Sequence, residues 1–197
     1  MCWAEHGIIF STKYWSYFHE CEKKNDPPLF ALDACPRYYA EHHARTIASI
    51  HPNARFPMLL RDPADRIVSH LNDNMIRFGG SSDIEVRVSQ IIKMKYGMEW
   101  ELSQYHLILA RYLKYFDAEQ ILLIPTELLT LDTQKTIDAV MSHIGGTAIK
   151  VNSIRGNNNQ KSKRYLRLHL DLLNALKLEL MPVKLGMLSH THYNFSW

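Results

Sequence analysis

Arg61 and Ser69 are the residues whose type and setting point most directly to chemistry. They stand in the stretch 56–70, FPMLLRDPADRIVSH, where an apolar run ends in Arg61-Asp62-Pro63 and Arg66 and Ser69 follow. The run MLL reads as a buried strand, while Asp62 as N-cap and Pro63 at the first helical position read as a helix start. A strand that delivers an arginine to the carboxyl edge of a parallel sheet delivers it to the place where α/β proteins bind ligands. The helix that follows turns its positive end and unpaired N–H groups towards the same edge. An arginine fork plus a hydroxyl suits a phosphate. The competing reading of the same residues is that Arg61 pairs with a helix carboxylate and Ser69 is simply packed.

Such a site needs an alternating scaffold, and the pattern along the chain supplies one. Short apolar runs at 29–32, 56–60 and 120–125 (QILLIP) read as buried strands. Amphipathic helices are expected from Pro36 to 50, from Pro63 to 78, over 83–96, over 102–116, from Asp132 to 143 and over 165–180, with a short last helix after Pro182. Residues 126–129 read as a turn, and 23–28 (KKNDPP) and 149–159 as loops. Strands separated by helices of this length imply an α/β fold, a parallel sheet flanked by helices with right-handed crossovers. No repeat or low-complexity tract interrupts it, so residues 1–197 are expected to form a single domain.

Bulk properties remove several function classes. A net charge of +3 suits an anionic ligand but falls short of a nucleic-acid arm, and no stacking-aromatic or finger pattern accompanies it. The histidines are scattered, with no cysteine beside them at ligand spacing, so no metal is expected. Cys2, Cys21 and Cys35 are odd in number and make no disulfide framework. No run approaches the ~20 apolar residues of a membrane span. The chain reads as soluble, with its compartment unknown.

With those residues in view, the chain resembles the sulfotransferases that use 3′-phosphoadenosine 5′-phosphosulfate (PAPS). In that superfamily a strand ends in Leu-Arg-Asp/Asn-Pro, followed by Arg and then Ser; LLRDPADRIVSH is similar residue for residue. HPNARFPMLLRDP resembles the family's P-x-A-K segment and strand, and SQYHLILARYLKYFDAEQILLIPTELL resembles its later helix, Glu-Gln-Ile-Leu strand and Glu-x-Leu turn. The similarity runs best over 30–144, with 155–197 as a C-terminal loop and helices. The heparan-type and bacterial carbohydrate enzymes are the members most alike.

The resemblance implies a P-loop-kinase-like sulfotransferase fold, PAPS or its product PAP (adenosine 3′,5′-bisphosphate) as co-substrate, and sulfuryl transfer to a hydroxyl or amine, the acceptor being a glycan. It implies that Arg61 and Ser69, with Arg66, hold the 3′-phosphate. Lys161, Lys163 and Arg164 fall near the family's C-terminal loop that closes over the donor; read as residues alone, they are a solvated polar loop. AEHGIIF lies near the family's Lys-Glu-x-His-Phe-Phe segment, which makes Glu5 the first candidate general base and His6 the second. LDACPRYY resembles the segment lining the acceptor side, with Ala34 where a lysine often stands and Cys35 in place of Ser or Thr.

The family also has an N-terminal loop rich in Lys and Gly/Ser/Thr that wraps the 5′-phosphosulfate, and no Lys-x-Gly-Thr string occurs here. The expectation is therefore an N-terminally truncated fragment rather than a protein that shed the loop. A relative that binds PAP or a glycan without turnover is the rival. An unrelated nucleotide kinase is a further one, though no Walker lysine supports it. The family implies a Golgi lumen for a eukaryotic member and the cytoplasm for a bacterial one.

Overall fold

The computed structural model describes residues 32–34, 38–78, 83–151 and 170–190. The fold is α/β: strands β1 (Phe56–Leu60) and β2 (Ile121–Pro125) pair side by side in a parallel sheet, and helices fill the intervening chain. In chain order the helices are α1 (Glu41–Ile50), α2 (Pro63–Phe78), α3 (Ile84–Met94), α4 (Met98–Glu101), α5 (Tyr105–Tyr112), α6 (Thr126–Leu131), α7 (Thr133–Ile144), α8 (Leu170–Glu179) and α9 (Met181–His190). No helix among the described residues is long and apolar enough to cross a membrane.

Several expected boundaries move, each for an identifiable reason. Helix α1 begins at Glu41 rather than Pro36. The carbonyls before it are taken by tertiary donors: Tyr112 Oη donates to the Tyr38 carbonyl at 2.6 Å and Arg111 Nη1 to the Tyr39 carbonyl at 3.1 Å. Helix α3 stops at Met94 because Lys95 turns left-handed (φ 49°) while its N–H still closes on the Ile91 carbonyl. The helix expected over 102–116 shortens to Tyr105–Tyr112 and unwinds in turns that return the Tyr115 and Phe116 N–H groups to the Tyr112 carbonyl. The turn expected at 126–129 is instead the helix Thr126–Leu131. Pro125 has no N–H for the sheet ladder, so the strand ends there and the chain coils. Pro182 lies inside α9, in its first turn, where a missing N–H costs nothing.

Contacts group the chain into two compact units. The first comprises Met1–Met58, Ala110–Leu123 and Gln134–Lys150. Its apolar centre includes Phe56, whose ring lies edge-on to Tyr112 (5.0 Å) and Phe116 (4.6 Å). Gln120 ties its loops: Nε2 donates to the Pro52 carbonyl (2.9 Å) and the Ala54 carbonyl (2.8 Å), and Oε1 accepts from the Asp117 N–H (3.0 Å). His143 Nε2 lies 3.1 Å from the Gln120 carbonyl; a carbonyl only accepts, so this nitrogen carries the proton.

The second unit comprises Leu59–Leu109, Ile124–Thr133 and Val151–Trp197. Its core is built from Leu60, Ala64, Ile67, Leu71, Val88, Ile91, Leu109, Leu176, Val183 and Met187, all buried. Helix α8 packs on α3 and α2, and Lys95 Nζ meets Glu179 Oε2 at 2.6 Å on the surface of that seam. Helix α9 passes so close to α5 that a Cβ on Gly186 would fall 2.7 Å from His106 Cβ.

Candidate functional site

Strand β1 buries its last residue, Leu60, and places Arg61 in solvent immediately after it. Asp62 then caps α2: its Oδ1 accepts the Asp65 N–H at 2.9 Å and its carbonyl accepts the Arg66 N–H at 2.9 Å. Pro63 opens the helix with its ring buried, and Ala64, Ile67 and Leu71 follow on the core side at helical spacing. That packing fixes which way the helix is rolled. Ser69 consequently lies half-buried, one turn beyond Asp65 and Arg66, and its hydroxyl makes no hydrogen bond among the described residues.

The helix start is poorer in free donors than the sequence suggests. Pro63 has no N–H, the Asp65 N–H belongs to the Asp62 side chain and the Arg66 N–H to the Asp62 carbonyl. Among the described residues only the Ala64 N–H is left unpaired in the first turn, and the Asp62 carboxylate already supplies negative charge at that end of the helix. The groups this turn offers to solvent are therefore side chains, chiefly Arg61, more than the helix end.

Arg66 is drawn into the protein. Its Nε donates to Ser103 Oγ at 2.7 Å, and its Nη2 donates to the Glu99 carbonyl. Burial lowers its pKa from the usual arginine value, with Tyr105 and Glu99 acting in the opposite direction. Ser103 is itself fully buried and also donates to the Glu99 carbonyl at 2.9 Å, with the Pro63 carbonyl at 3.4 Å. His70, one turn beyond Arg66, approaches Glu99 Oε1 at 4.0 Å; burial and then the Arg66 charge lower its pKa.

Tyr105 completes the group. Its ring is buried, which pushes its hydroxyl up to about 12, while the Arg66 charge and a backbone hydrogen bond with Arg61 pull it back. Ser103, Tyr105 and Glu99 do not stand out in the sequence. Ser103 before an apolar helix resembles an ordinary capping residue, and only the fold shows that its hydroxyl meets Arg66.

Of the other candidate residues, Glu5, His6, Lys161, Lys163 and Arg164 lie outside the described residues. Asp33, in the segment expected to line the acceptor side, is described; its Oδ2 accepts from Tyr38 Oη at 2.5 Å. No group of three or more His, Cys, Asp or Glu among the described residues is arranged to hold a metal ion.

This strand-turn-helix, with Arg61 at the strand's end and Ser69 on the helix, belongs to a chain of known kind. A profile of the sulfotransferase family matches residues 4–148, most of the sequence, and the chain belongs to that family. Among solved structures, a sulfotransferase from Alicyclobacillus acidocaldarius has the same fold, with a TM-score of 0.68 over 81% of this chain at 19% sequence identity. The chain spans 63% of that structure's length. Among curated proteins, none matches this chain.

Proposed function

We propose that this chain is a sulfotransferase that takes PAPS as donor and passes its sulfuryl group to a hydroxyl or amine of an acceptor, a carbohydrate, within a single sulfotransferase-like domain. The observation that carries the reading is the Arg61–Ser69 arrangement: an exposed arginine at the carboxyl end of β1 and an open hydroxyl on the helix that follows. Family membership over 4–148 supports taking the nucleotide's 3′-phosphate as the anion that these residues would grip.

In this role Arg61 supplies a planar pair of donors and Ser69 a further one, matching the oxygens of a phosphate monoester. Lys161, Lys163 and Arg164 would cover the donor from the C-terminal side, and Glu5, or His6 after it, would take the proton that the acceptor loses as it attacks sulfur. Sulfuryl transfer demands little covalent chemistry of the protein, only an in-line placement of donor and acceptor and stabilisation of charge on the transferred oxygens.

The test measures PAP affinity and PAPS-dependent sulfation of a glycan mixture on one preparation of the full chain. Binding together with transfer is expected. Binding without transfer would mean a PAP-holding relative, and absence of both would remove the proposal.

A further inference from the structure

A phosphate monoester presents three strong acceptor oxygens, and each gains from a donor of its own. Around Arg61 and Ser69 donors are scarce. Arg66 donates through Nε to Ser103 Oγ at 2.7 Å and through Nη2 to the Glu99 carbonyl. The Asp65 and Arg66 N–H groups close on Asp62, and the Asp65 side chain, one turn before Ser69, offers only oxygens. A phosphate held here calls for one more donor close to Ser69.

Asn72 carries such a donor. It stands in α2 three residues beyond Ser69 and is only 3% exposed. Residues three apart on a helix are neighbours, their Cβ atoms about 5–6 Å from each other. Ala64, Ile67 and Leu71 form the core stripe, and at about 100° per residue Asn72 falls between that stripe and Ser69. Helical side chains lean towards the N-terminus, so the Asn72 amide lies over the turn that carries Ser69. Its Nδ2 is sealed from solvent and has no hydrogen-bond partner, while Oδ1 is not sealed in this way. An unpaired buried amide is unfavourable, and a leucine of the same branching would fill the position without that penalty. The Ser69 hydroxyl beside it also lacks a partner among the described residues. Two neighbouring donors without acceptors point to an acceptor that arrives from outside the protein.

We propose that Asn72 is a further binding residue of the 3′-phosphate site, donating through Nδ2 to a phosphate oxygen next to the one that Ser69 holds. A half-turn about its Cβ–Cγ bond, a soft and roughly two-fold torsion in asparagine, carries Nδ2 to the side where Oδ1 now stands. The phosphate then satisfies a donor that the protein itself leaves unpaired. The proposal rests on the reading of Arg61 and Ser69 as a phosphate grip, and the experiment separates the two.

The measurement is the ratio of affinities for PAP and for adenosine 5′-monophosphate, which differ by the 3′-phosphate alone. It is made by calorimetry on the full chain, as the parent and carrying Asn72→Leu, Asn72→Ala or Arg61→Ala, with a thermal midpoint for each. Asn72→Leu is expected to lower the preference for PAP about tenfold, the scale of one hydrogen bond to a charged group. The monophosphate affinity should stay unchanged and the midpoint should be no lower than the parent's. Asn72→Ala, which cannot overpack the position, decides the matter where leucine proves too large to fold. A preference kept by the Asn72 variants while Arg61→Ala loses it overturns the role of Asn72 and leaves the grip standing. Affinities for the two nucleotides that fall together assign Asn72 to packing and overturn it as well. If Arg61→Ala keeps the preference too, the phosphate grip itself is wrong and the proposal falls with it.

Discussion

Arg66 Nε lies 2.7 Å from Ser103 Oγ, joining the first turns of α2 to the residue that precedes α5's entry. Both groups are withdrawn from solvent, so removing either partner strands the other. Arg66→Ala is expected to cost about 1.5–3 kcal/mol of stability, the range for hydrogen bonds that involve a charged group. Urea unfolding of the parent and variant measures it. A difference near zero would mean that the bond contributes nothing to the folded state.

Gln120→Ala removes the amide that receives the Asp117 N–H and donates to the Pro52 and Ala54 carbonyls. These groups are only partly buried, and each bond contributes on the order of 1 kcal/mol net. A loss of roughly 2 kcal/mol in urea unfolding is expected. Gln120→Glu should lose at least as much, because its second carboxylate oxygen would face the Pro52 and Ala54 carbonyl oxygens with no proton to offer.

Gly186→Ala sets two effects of opposite sign against each other. Alanine favours a helix interior over glycine by about 1 kcal/mol. The added methyl, however, would meet His106 Cβ at 2.7 Å and its ring carbons at 2.8 and 2.9 Å, a contact that forces α9 away from α5. Overpacking of this kind costs typically 1–3 kcal/mol, so the variant should melt lower than the parent. A higher midpoint would show that the helices separate at no cost.

His70 supplies a pH dependence. Its folded pKa is depressed, by burial first and the Arg66 charge second, with Glu99 and Asp73 opposing. The unfolded chain therefore binds this proton more readily than the folded one. Stability is complete above the unfolded value of 6.5 and is lost as pH falls below it and through the folded pKa. His70→Gln removes this contribution, so the stability difference between parent and variant should move in the variant's favour between about pH 7 and pH 5. A difference that stays constant with pH would assign no such role to His70.

The sequence shows the parts of this site that are written locally and hides the parts that are not. Asp62 and Pro63 announce the start of α2 because capping chemistry acts within one turn, and the structure places that start where the pattern does. Phe56–Leu60 and Ile121–Pro125 are legible as strands because each is a short apolar run with a clear end. The helix at Thr126–Leu131 was obscured by the resemblance of Thr-Glu-Leu to a turn. Arg66 is the instructive case. Its neighbours suggest a ligand contact; the fold adds that its Nε and Nη2 donate to Ser103 and the Glu99 carbonyl, partners brought close by packing of α2 on α4 rather than by anything within the motif. Long-range partners of this kind have no local signature.

The central claim is that Arg61 grips the 3′-phosphate of an adenosine nucleotide. Calorimetric titration of PAP into the full chain and into Arg61→Ala tests it most directly, since Arg61 is exposed and its removal leaves the core intact. The account predicts that the parent binds PAP and that Arg61→Ala loses at least about tenfold in affinity at an unchanged melting temperature, the least expected from a charged fork on a phosphate. Equal affinity in the two proteins would contradict it.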